Sequence, residues 1–400
     1  MAIEIRLPEL EEVDDFYRNS GRVFGWDISD QEIPRHKAFL ELDRTMLAFD
    51  EGNMVGGLTS YPYELSVPGT SSAVAAVAWV TVQPTHRRRG IFAELTKYQL
   101  SDLHDKNIPF AALWSSESII YGRFGYGIGT VSERWEIERH QAGLARFSEC
   151  TGRVRYIEKS QITDLLPNVY SRIFRCRSGM MGRTSQLWED RLWQHDHLIE
   201  NGEGSFCAVY EENGTVEGYV FYVHDKFDKV LTIRELLCCS SNASVALWEF
   251  LFNMDGIEVI KVGNRPPDDP IPWMLADPRR LNRTVSDGIW LRIVDVMSAL
   301  KIRKYSVEGD LVLEVRDRTC SWNHRKFELS ADPSGAICRF SDSAPDISLD
   351  ISDLSATYLG TTSFTLLNSA KRIEAATPAS LHLADAMFSM DLAPWCTQDF

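Results

Sequence analysis

The sequence lacks several features that would assign it to well-defined classes of protein. Its eight cysteines include no C-x-x-C pair, so neither a disulfide framework nor a zinc site is indicated, and buried reduced thiols are expected. No stretch reaches the roughly 18 apolar residues of a membrane span. The first residues show no basic region followed by an apolar core. We therefore expect a cytoplasmic protein that does not span a membrane.

Basic charge is also scarce relative to acidic charge. The chain has 42 lysine and arginine residues against 57 aspartate and glutamate residues, which gives a formal net charge of −15. The electrostatic field of a protein with this negative charge repels the phosphates of nucleic acids and of anionic lipids. We expect no nucleic-acid or membrane partner, and a cationic substrate fits this field better.

The order of elements predicts three domains with a mixed α/β (α+β) fold. A length of 400 residues exceeds what one core usually serves. Residues 1–150 are predicted to run β-α-β-β-β-α-β-α, and residues 151–287 repeat part of this order more weakly. Residues 288–400 form a third, α+β domain, and Ser286 to Gly288 are predicted to be the turn at its boundary.

One segment of the first domain has the pattern of an anion site. An almost unbroken apolar strand, Val74–Val82, is followed by Pro84, the arginines 87–89, Gly90 and a helix beginning near Ile91. Free N–H groups at a helix N-terminus, together with guanidinium groups, can bind a pyrophosphate. The alternative is a solvated basic run, but its position between a buried strand and an amphipathic helix favours the anion site.

The second domain lacks this pattern. Its turn between strand and helix, Cys239 to Ala243, contains no arginine and no glycine. A phosphate site is therefore predicted in the first repeat only.

These residues resemble the GNAT acetyltransferase superfamily. Its coenzyme A turn, Arg/Gln-x-x-Gly-x-Gly/Ala, is matched by Arg87 to Gly90, whereas Phe92 stands at the last small-residue position. Together with Ser116-Glu117 and the segment from Ile120 to Gly127, the turn resembles the enhanced-intracellular-survival (Eis) aminoglycoside acetyltransferases.

The resemblance implies a fold, a reaction and an assembly. The fold would be two tandem GNAT-like domains, the second degenerate, followed by a sterol-carrier-like domain containing Tyr358-Leu359-Gly360. The reaction would transfer acetyl from acetyl-CoA, without a metal, to several amines of an aminoglycoside-like polyamine or to lysine side chains. The assembly would be a homohexamer.

The resemblance also assigns two catalytic groups. Tyr121 would be the general acid that protonates the departing thiolate, although a buried tyrosine is more often a core residue. The C-terminal carboxylate, borne here by Phe400, would be the base. The alternative is a frayed chain end, but Trp395 and Phe400 suggest that this end is docked.

Further residues are predicted to bind the two substrates. Backbone N–H groups around Val80 and Val82 would hold the pantetheine arm and polarise the acetyl carbonyl. Glu117 could instead cap the following helix, and the aromatic and acidic substrate residues could be ordinary core or surface. The coenzyme residues are Val80, Thr81, Val82, Arg87, Arg88, Arg89, Gly90, Ile91, Phe92, Ala93, Ser116 and Glu117; the substrate residues are Phe24, Trp26, Asp27, Trp79 and Asp399.

Other functions and motifs remain as alternatives. The protein could carry an apolar ligand in the third domain, or acetylate a single protein partner. His195 and His197 are predicted to face solvent rather than bind a metal, because no further ligand follows at suitable spacing. Met180-Met181 and Cys238-Cys239 are predicted to be core or interface residues.

Overall fold

The computed structural model describes residues 3–146, 151–191, 204–225 and 227–400. The strands are β1 (Glu4–Arg6), β2 (Thr45–Asp50), β3 (Asn53–Val67), β4 (Thr70–Val82), β5 (Phe110–Trp114), β6 (Gly127–Ile128), β7 (Val131–Glu138), β8 (Arg153–Tyr156), β9 (Gly204–Glu212), β10 (Thr215–Asp225), β11 (Val230–Cys238), β12 (Val259–Arg265), β13 (Asn282–Asp287), β14 (Ile289–Ile293), β15 (Gly309–Arg316), β16 (Arg325–Asp332), β17 (Gly335–Phe340), β18 (Ile347–Asp350) and β19 (Glu374–Ala375). The helices are α1 (Val13–Phe24), α2 (Ile33–Lys37), α3 (Ile91–Asp105), α4 (Ser118–Tyr121), α5 (Lys159–Cys176), α6 (Ser241–Phe252), α7 (Ile271–Met274), α8 (Val296–Ile302), α9 (Ile351–Tyr358), α10 (Phe364–Ser369) and α11 (Pro378–Phe388).

The chain divides into two compact units. The first contains residues 1–129, 289–390 and 398–400, and the second contains residues 130–288 and 391–397. In the first unit the N-terminal sheet has the order β1-β2-β3-β4-β5-β14-β6. Strands β4 and β5 are parallel and are connected through α3, as expected, and the other neighbours are antiparallel.

Helices α1 and α3 cover opposite faces of this sheet. Successive side chains of β2 alternate between the faces. Leu47 and Phe49 pack in one buried cluster with Phe16 of α1. Met46 and Ala48 pack in another with Ile91 and Leu95 of α3. The sheet is therefore buried on both faces where α1 and α3 cover it.

The second unit repeats the strand–helix order more loosely. Its sheet has the order β13-β7-β12-β11-β10-β9-β8, and β11 and β12 are a parallel pair. The hairpin β9–β10, strand β11, helix α6 and strand β12 follow the predicted order. Its interior includes Trp248 of α6, packed near Trp135 of β7.

Strands β7 and β14 lie in sheets that the order of elements along the sequence did not predict. Strand β7 lies in the second unit, where it pairs with β12 and β13. Strand β14 lies in the first unit, between β5 and β6. The turn predicted at Ser286 to Gly288 is wrong, because Ser286 and Asp287 are paired in β13 with Ser132 and Val131. The domain boundaries near 150 and 287 remain predictions.

The third region of the chain forms an α+β layer within the first unit. Its sheet has the order β17-β16-β15-β18-β19. Buried Phe327 of β16, Tyr358 of α9 and Phe388 of α11 occupy its interior. The fully buried guanidinium of Arg303 lies over the rings of Tyr305, Tyr358 and Phe388 and donates hydrogen bonds to the Tyr358 and Phe388 carbonyls. Arg303 thus caps the C-terminal ends of α9 and α11.

Most of the described cysteines agree with the expected burial of their thiols, and one does not. Cys207, Cys320, Cys338 and Cys396 are buried, but Cys176 is exposed at the end of α5, where the expectation of burial is wrong. Helix ends leave short side chains open to solvent when no element packs over them. Cys150 lies outside the described residues.

Within the described ranges, no helix combines the length and apolarity needed to cross a membrane.

Candidate active site

Strands β4 and β5 separate at the edge where the sequence predicts the coenzyme. Within the described part of the chain their pairing covers only Val74–Ala76 with Phe110–Ala112. The N–H of Gln83 donates to Val55 of β3 at 2.8 Å. Because N–H groups alternate in direction along a strand, those of Val82 and Val80 point to the opposite edge, which β5 leaves uncovered. The separation therefore presents backbone donors to a ligand.

Trp79 marks a bulge in β4 immediately before these donors. The pairing of β3 with β4 shifts between Gly57 and Thr59, and Trp79 has a positive φ of 56°. A bulge residue in this conformation re-aims its side chain. The Trp79 indole donates a 2.9 Å hydrogen bond to the Tyr61 hydroxyl. The bulge thus aims the indole at the aromatic residues of α1.

Two further predicted substrate residues, Phe24 and Trp26, lie beside this indole. The rings of Phe24 and Trp26 are stacked with centroids 5.3 Å apart. Both lie edge-on to Trp79, at 6.3 and 6.4 Å. Phe24 is 38% exposed and Trp26 is 52% exposed, so this cluster forms an open aromatic surface rather than core. Asp27 is exposed one residue further on.

The turn after β4 has the backbone of an anion site. A short 3-10 helix, Pro84–His86, ends β4, and Arg88 and Gly90 both have positive φ, at 63° and 84°. No atom of the described protein lies within 4 Å of a Cβ built on Gly90. Glycine is therefore favoured here by its backbone conformation, and the space beside the turn is open to a ligand.

The three arginines of this turn are exposed but differ in their partners. Arg89 donates to the Asp50 carboxylate at 2.9 Å, and His86 lies 3.3 Å from the same oxygen. The hydrogen bond from Arg89 and the nearby positive charges hold the pKa of Asp50 below its usual value. Arg87 and Arg88 form no ion pair with any described residue. Their guanidinium groups are available to an anionic ligand.

The corresponding helix of the second unit begins differently. Helix α3 begins after Gly90, so its first N–H groups receive no side-chain cap. Helix α6 begins after Ser240, whose Oγ accepts from the Ala243 N–H at 3.2 Å. Its N-terminus is thus partly satisfied by its own chain. The two helices thus differ in the number of N–H groups left for a ligand, and the absence of a phosphate site in the second repeat stays a prediction.

Tyr121 ends α4 and packs in one buried cluster with Val77 of β4 and Leu113 of β5. Its ring packs edge-on against Phe92 at 5.6 Å and against Tyr126 at 5.7 Å. The residue is only 7% exposed, and burial raises the pKa of its hydroxyl to about 12. No described residue forms a hydrogen bond with this hydroxyl. At neutral pH Tyr121 is therefore a protonated donor without an acceptor among the described residues.

The other predicted coenzyme residues differ in their burial and in the residues that they contact. Phe92, at the family's small-residue position, packs between Tyr121 and Phe124. The Thr81 hydroxyl is 3.1 Å from the Ser20 hydroxyl of α1, and the Thr81 backbone is paired with Gly57 of β3. Ile91 is buried in the core, and Ala93 packs beside the Tyr121 cluster. Ser116 and Glu117 are exposed after β5.

Glu117 does not cap α4 through its side chain. It stands at the N-cap position, but its carboxylate accepts no hydrogen bond from the helix. The capping alternative for this residue is therefore wrong. The carboxylate is exposed to solvent instead.

The C-terminal residues are bonded rather than frayed. Within the second unit, the Trp395 N–H donates to Ser178 at 2.9 Å, its indole donates to Asn264 at 2.8 Å, and Asn264 donates to the Cys396 carbonyl at 2.8 Å. Within the first unit, Trp114 donates to the Gln398 carbonyl at 3.0 Å.

Phe400 packs in the first unit near the aromatic surface. Its ring lies 5.8 Å from that of Tyr63, beside a cluster that contains Tyr61 and Trp79. Asp399 is exposed. Tyr61 and Tyr63 are not among the predicted substrate residues, although their alternation on β3 opposite Val74–Ala78 indicates a shared face.

The remaining motifs are the possible metal ligands and the buried sulfur residues. The described residues contain no group of three or more His, Cys, Asp or Glu side chains that could hold a metal ion. His195 and His197 lie outside the described residues. Met180 and Met181 are fully buried, as predicted.

Comparison with known proteins agrees with this geometry. The acetyltransferase (GNAT) domain matches residues 4–129 and again residues 179–293, and the sterol carrier protein domain matches residues 296–397. An uncharacterized N-acetyltransferase of Streptomyces avermitilis is 32% identical over the whole of both chains. N-acetyltransferase Eis of Mycobacterium bovis is 32% identical over 85% of each chain.

A solved structure extends the similarity to the whole fold. The crystal structure of Eis1 from Mycobacterium abscessus has 31% identity and a TM-score of 0.87, with all of both chains covered. The chain thus belongs to the Eis family of GNAT N-acetyltransferases, with two GNAT domains followed by a sterol-carrier-like domain. It is an acetyltransferase, and enzymes of the GNAT type use acetyl-CoA.

Proposed function

We propose that this enzyme acetylates amines of aminoglycoside-like polyamines from acetyl-CoA by direct attack on the thioester. The observation that carries this proposal is the separation of β4 from β5 beside the unpartnered hydroxyl of Tyr121. The separation provides backbone donors for a pantetheine arm and a thioester carbonyl. The tyrosine provides a proton where a thiolate would leave.

The coenzyme site is proposed to run from the strand edge to the turn. N–H groups of Val80 and Val82 would bind the pantetheine arm and polarise the acetyl carbonyl. The uncapped start of α3 and the guanidinium groups of Arg87 and Arg88 would bind the pyrophosphate. Arg89, Ile91, Phe92, Ala93, Thr81, Ser116 and Glu117 complete the proposed contacts.

Tyr121 is proposed to be the general acid. A group that donates a proton must carry it at the working pH, and a pKa of about 12 keeps Tyr121 protonated near neutrality. A thiolate leaving group would be both the acceptor that this hydroxyl lacks and the base that takes its proton. The reaction would thus satisfy a buried donor.

The carboxylate of Phe400 is proposed to be the base that receives a proton from the attacking amine. A free α-carboxyl group titrates near ~3.5, so it would act through charge pairing or water. The docking of Phe400 against Tyr63 supports a fixed position for this group. Adding one alanine after Phe400 would displace the carboxylate by about 3.5 Å and should lower kcat.

The aromatic surface of Phe24, Trp26 and Trp79 is proposed to bind the amine substrate. Aromatic faces attract ammonium groups, and the net charge of −15 draws polycations toward the protein. Asp27 and Asp399 would add carboxylates to this surface. Lysine side chains have the same chemistry, so a protein substrate is tested in the same assay.

A thiol-release assay tests the function directly. Purified protein is incubated with acetyl-CoA and a kanamycin-type polyamine, and free coenzyme A and acetylated product are measured. Release with the polyamine and mass increases of one or more acetyl groups are expected. Release with a lysine peptide only would favour the protein-specific enzyme, and no release with any amine would refute the proposal.

The lipid-carrier alternative is less well supported. Tyr358, Phe388 and Arg303 fill the interior of the third domain between its sheet and helices. Lipid bound at near-equal stoichiometry in native mass spectra, without acetyl-CoA binding, would favour the carrier.

The cytoplasmic location, the absence of a metal and the homohexamer remain predictions. Light scattering measures the assembly, and activity after chelation tests the metal.

A further inference from the structure

The turn that follows Tyr121 is covered by helix α9 of the sterol-carrier-like domain. Both lie in the first unit. A Cβ built on Gly127 would lie 2.1 Å from the Ser352 carbonyl and 2.6 Å from the Ala356 N–H. Only a glycine permits this approach of α9 to β6. The third domain is therefore packed against the backbone that carries Tyr121.

Ser355 joins this turn to the neighbouring strand. Its side chain is fully buried in α9, and its hydroxyl donates to the Gly125 carbonyl at 3.2 Å. The same hydroxyl accepts from the Ile293 N–H of β14 at 3.2 Å. Each backbone group would be buried without this partner if the hydroxyl were removed.

A buried ion pair also lies against this turn. Arg292 of β14 donates to Asp317 at 2.6 Å, and both side chains are essentially inaccessible to solvent. A Cβ on Gly125 would lie 2.8 Å from the Arg292 guanidinium carbon and 2.7 Å from Ile351 of α9. The turn has no space in which to shift toward either neighbour.

A displacement of this turn would be transmitted to Tyr121 through direct contacts with Tyr126. The Tyr126 N–H donates to the Tyr121 carbonyl at 3.4 Å, and their rings are 5.7 Å apart. Gly125 directly precedes Tyr126 and bears the carbonyl that Ser355 holds. A displaced Gly125 would therefore change the position of the Tyr121 hydroxyl.

We propose that Ser355 is a positioning residue for Tyr121, and that the sterol-carrier-like domain contributes to acetyl transfer by fixing the turn between Gly122 and Gly127. This inference rests on the proposed role of Tyr121 as the general acid. It gives the third domain a function that requires no bound lipid.

The test compares two hydroxyl deletions on the same helix. Ser355→Ala should lower kcat about tenfold, because small misplacements of a reacting group are costly, and should leave the Kd for acetyl-CoA within about twofold. The matched control is Tyr358→Phe, which removes a buried hydrogen bond to Ala299 and does not touch the turn. Its kcat should equal that of the wild type.

A double-mutant cycle provides the decisive readout. If Ser355 acts through Tyr121, Ser355→Ala should have no further effect on kcat in a Tyr121→Phe background. Additive losses, or equal losses in Ser355→Ala and Tyr358→Phe, would overturn the positioning role. Should Ser355→Ala fail to fold, Ser355→Cys fills the same space but replaces the hydroxyl with a thiol, a weak donor and acceptor, and an unchanged kcat there would also overturn it.

The two proposals fail in different ways. Unchanged kcat in Tyr121→Phe alone would refute the general acid and this inference with it. A large loss in Tyr121→Phe combined with additive behaviour of Ser355→Ala would refute the positioning role only.

Discussion

Arg89 and Asp50 form an ion pair, with 2.9 Å between guanidinium nitrogen and carboxylate oxygen, at the turn that begins α3. The neighbouring Arg88 makes no ion pair with any residue in the described ranges. A carboxylate already bound to Arg89 competes with a pyrophosphate for that side chain. The two adjacent arginines therefore should contribute unequally to coenzyme binding.

Removing the guanidinium of Arg88 should weaken acetyl-CoA binding more than removing that of Arg89. Arg88→Gly suits the positive φ of 63° and so separates the loss of charge from backbone strain. Calorimetry should show a Kd about tenfold higher for Arg88→Gly, as expected for one charge-assisted hydrogen bond, and a smaller increase for Arg89→Ala. Equal affinities in both variants and the wild type would contradict the pyrophosphate site.

Tyr121→Phe should lower kcat by about 10²-fold, the lower range for loss of a general acid. The ring is retained, so the packing against Phe92 and the Kd for acetyl-CoA should persist. The control is Tyr98→Phe on the exposed face of α3, where kcat should not change. Loss of coenzyme binding together with kcat would indicate a structural role instead.

The pH profile should reflect the raised pKa of Tyr121. Because burial raises its pKa to about 12, the acid form persists through neutral and moderately alkaline pH. Its deprotonation should therefore produce no loss of kcat between about pH 7 and 10, well below that pKa. A descending limb in this range that disappears in Tyr121→Phe would contradict the assignment.

Trp26→Ala should raise the KM for a cationic polyamine by about tenfold, through loss of cation–π attraction and contact area. The Kd for acetyl-CoA should not change, because Trp26 is not among the predicted coenzyme residues and its ring contacts are with Phe24 and Trp79. Trp273→Ala removes a 90% exposed tryptophan of the second unit and serves as the control. An unchanged KM in Trp26→Ala would exclude this surface as the amine site.

Glu235 should control the acid stability of the second unit. Burial by itself would raise the pKa of Glu235, but Arg183 and Arg191 outweigh it and lower the pKa from 4.5 to about 2. The resulting stability is present above about pH 4.5 and is lost as the pH falls toward about 2.

Glu235→Gln should destabilise the protein by about 3–5 kcal/mol at neutral pH, because it leaves the buried Arg183 without a counter-charge. Denaturant unfolding measures the change. Glu328→Gln removes a more exposed pair with Arg339 and should change stability little. Equal effects of the two substitutions would refute the role of the buried pair.

The sequence alone determined the local features of the first repeat. Strand β4, the turn at Arg87 to Gly90 and helix α3 follow from an apolar run, a proline, a glycine and helical spacing, all of which act over a few residues. The absence of arginine and glycine from the turn of the second repeat is likewise local, and it predicts that this repeat lacks a phosphate site. The spacing of such motifs also carried the resemblance to the family.

Only the tertiary structure decided which distant segments meet. Strand β14 lies beside β5, Ser355 reaches Gly125, and Phe400 packs against Tyr63, although each pair is separated by well over a hundred residues. Pairing of this kind depends on which sheet edge and which buried donors remain unsatisfied after the local elements have formed. Periodicity reports the face that a residue occupies within its own element, and it contains no information about the partner that will cover that face.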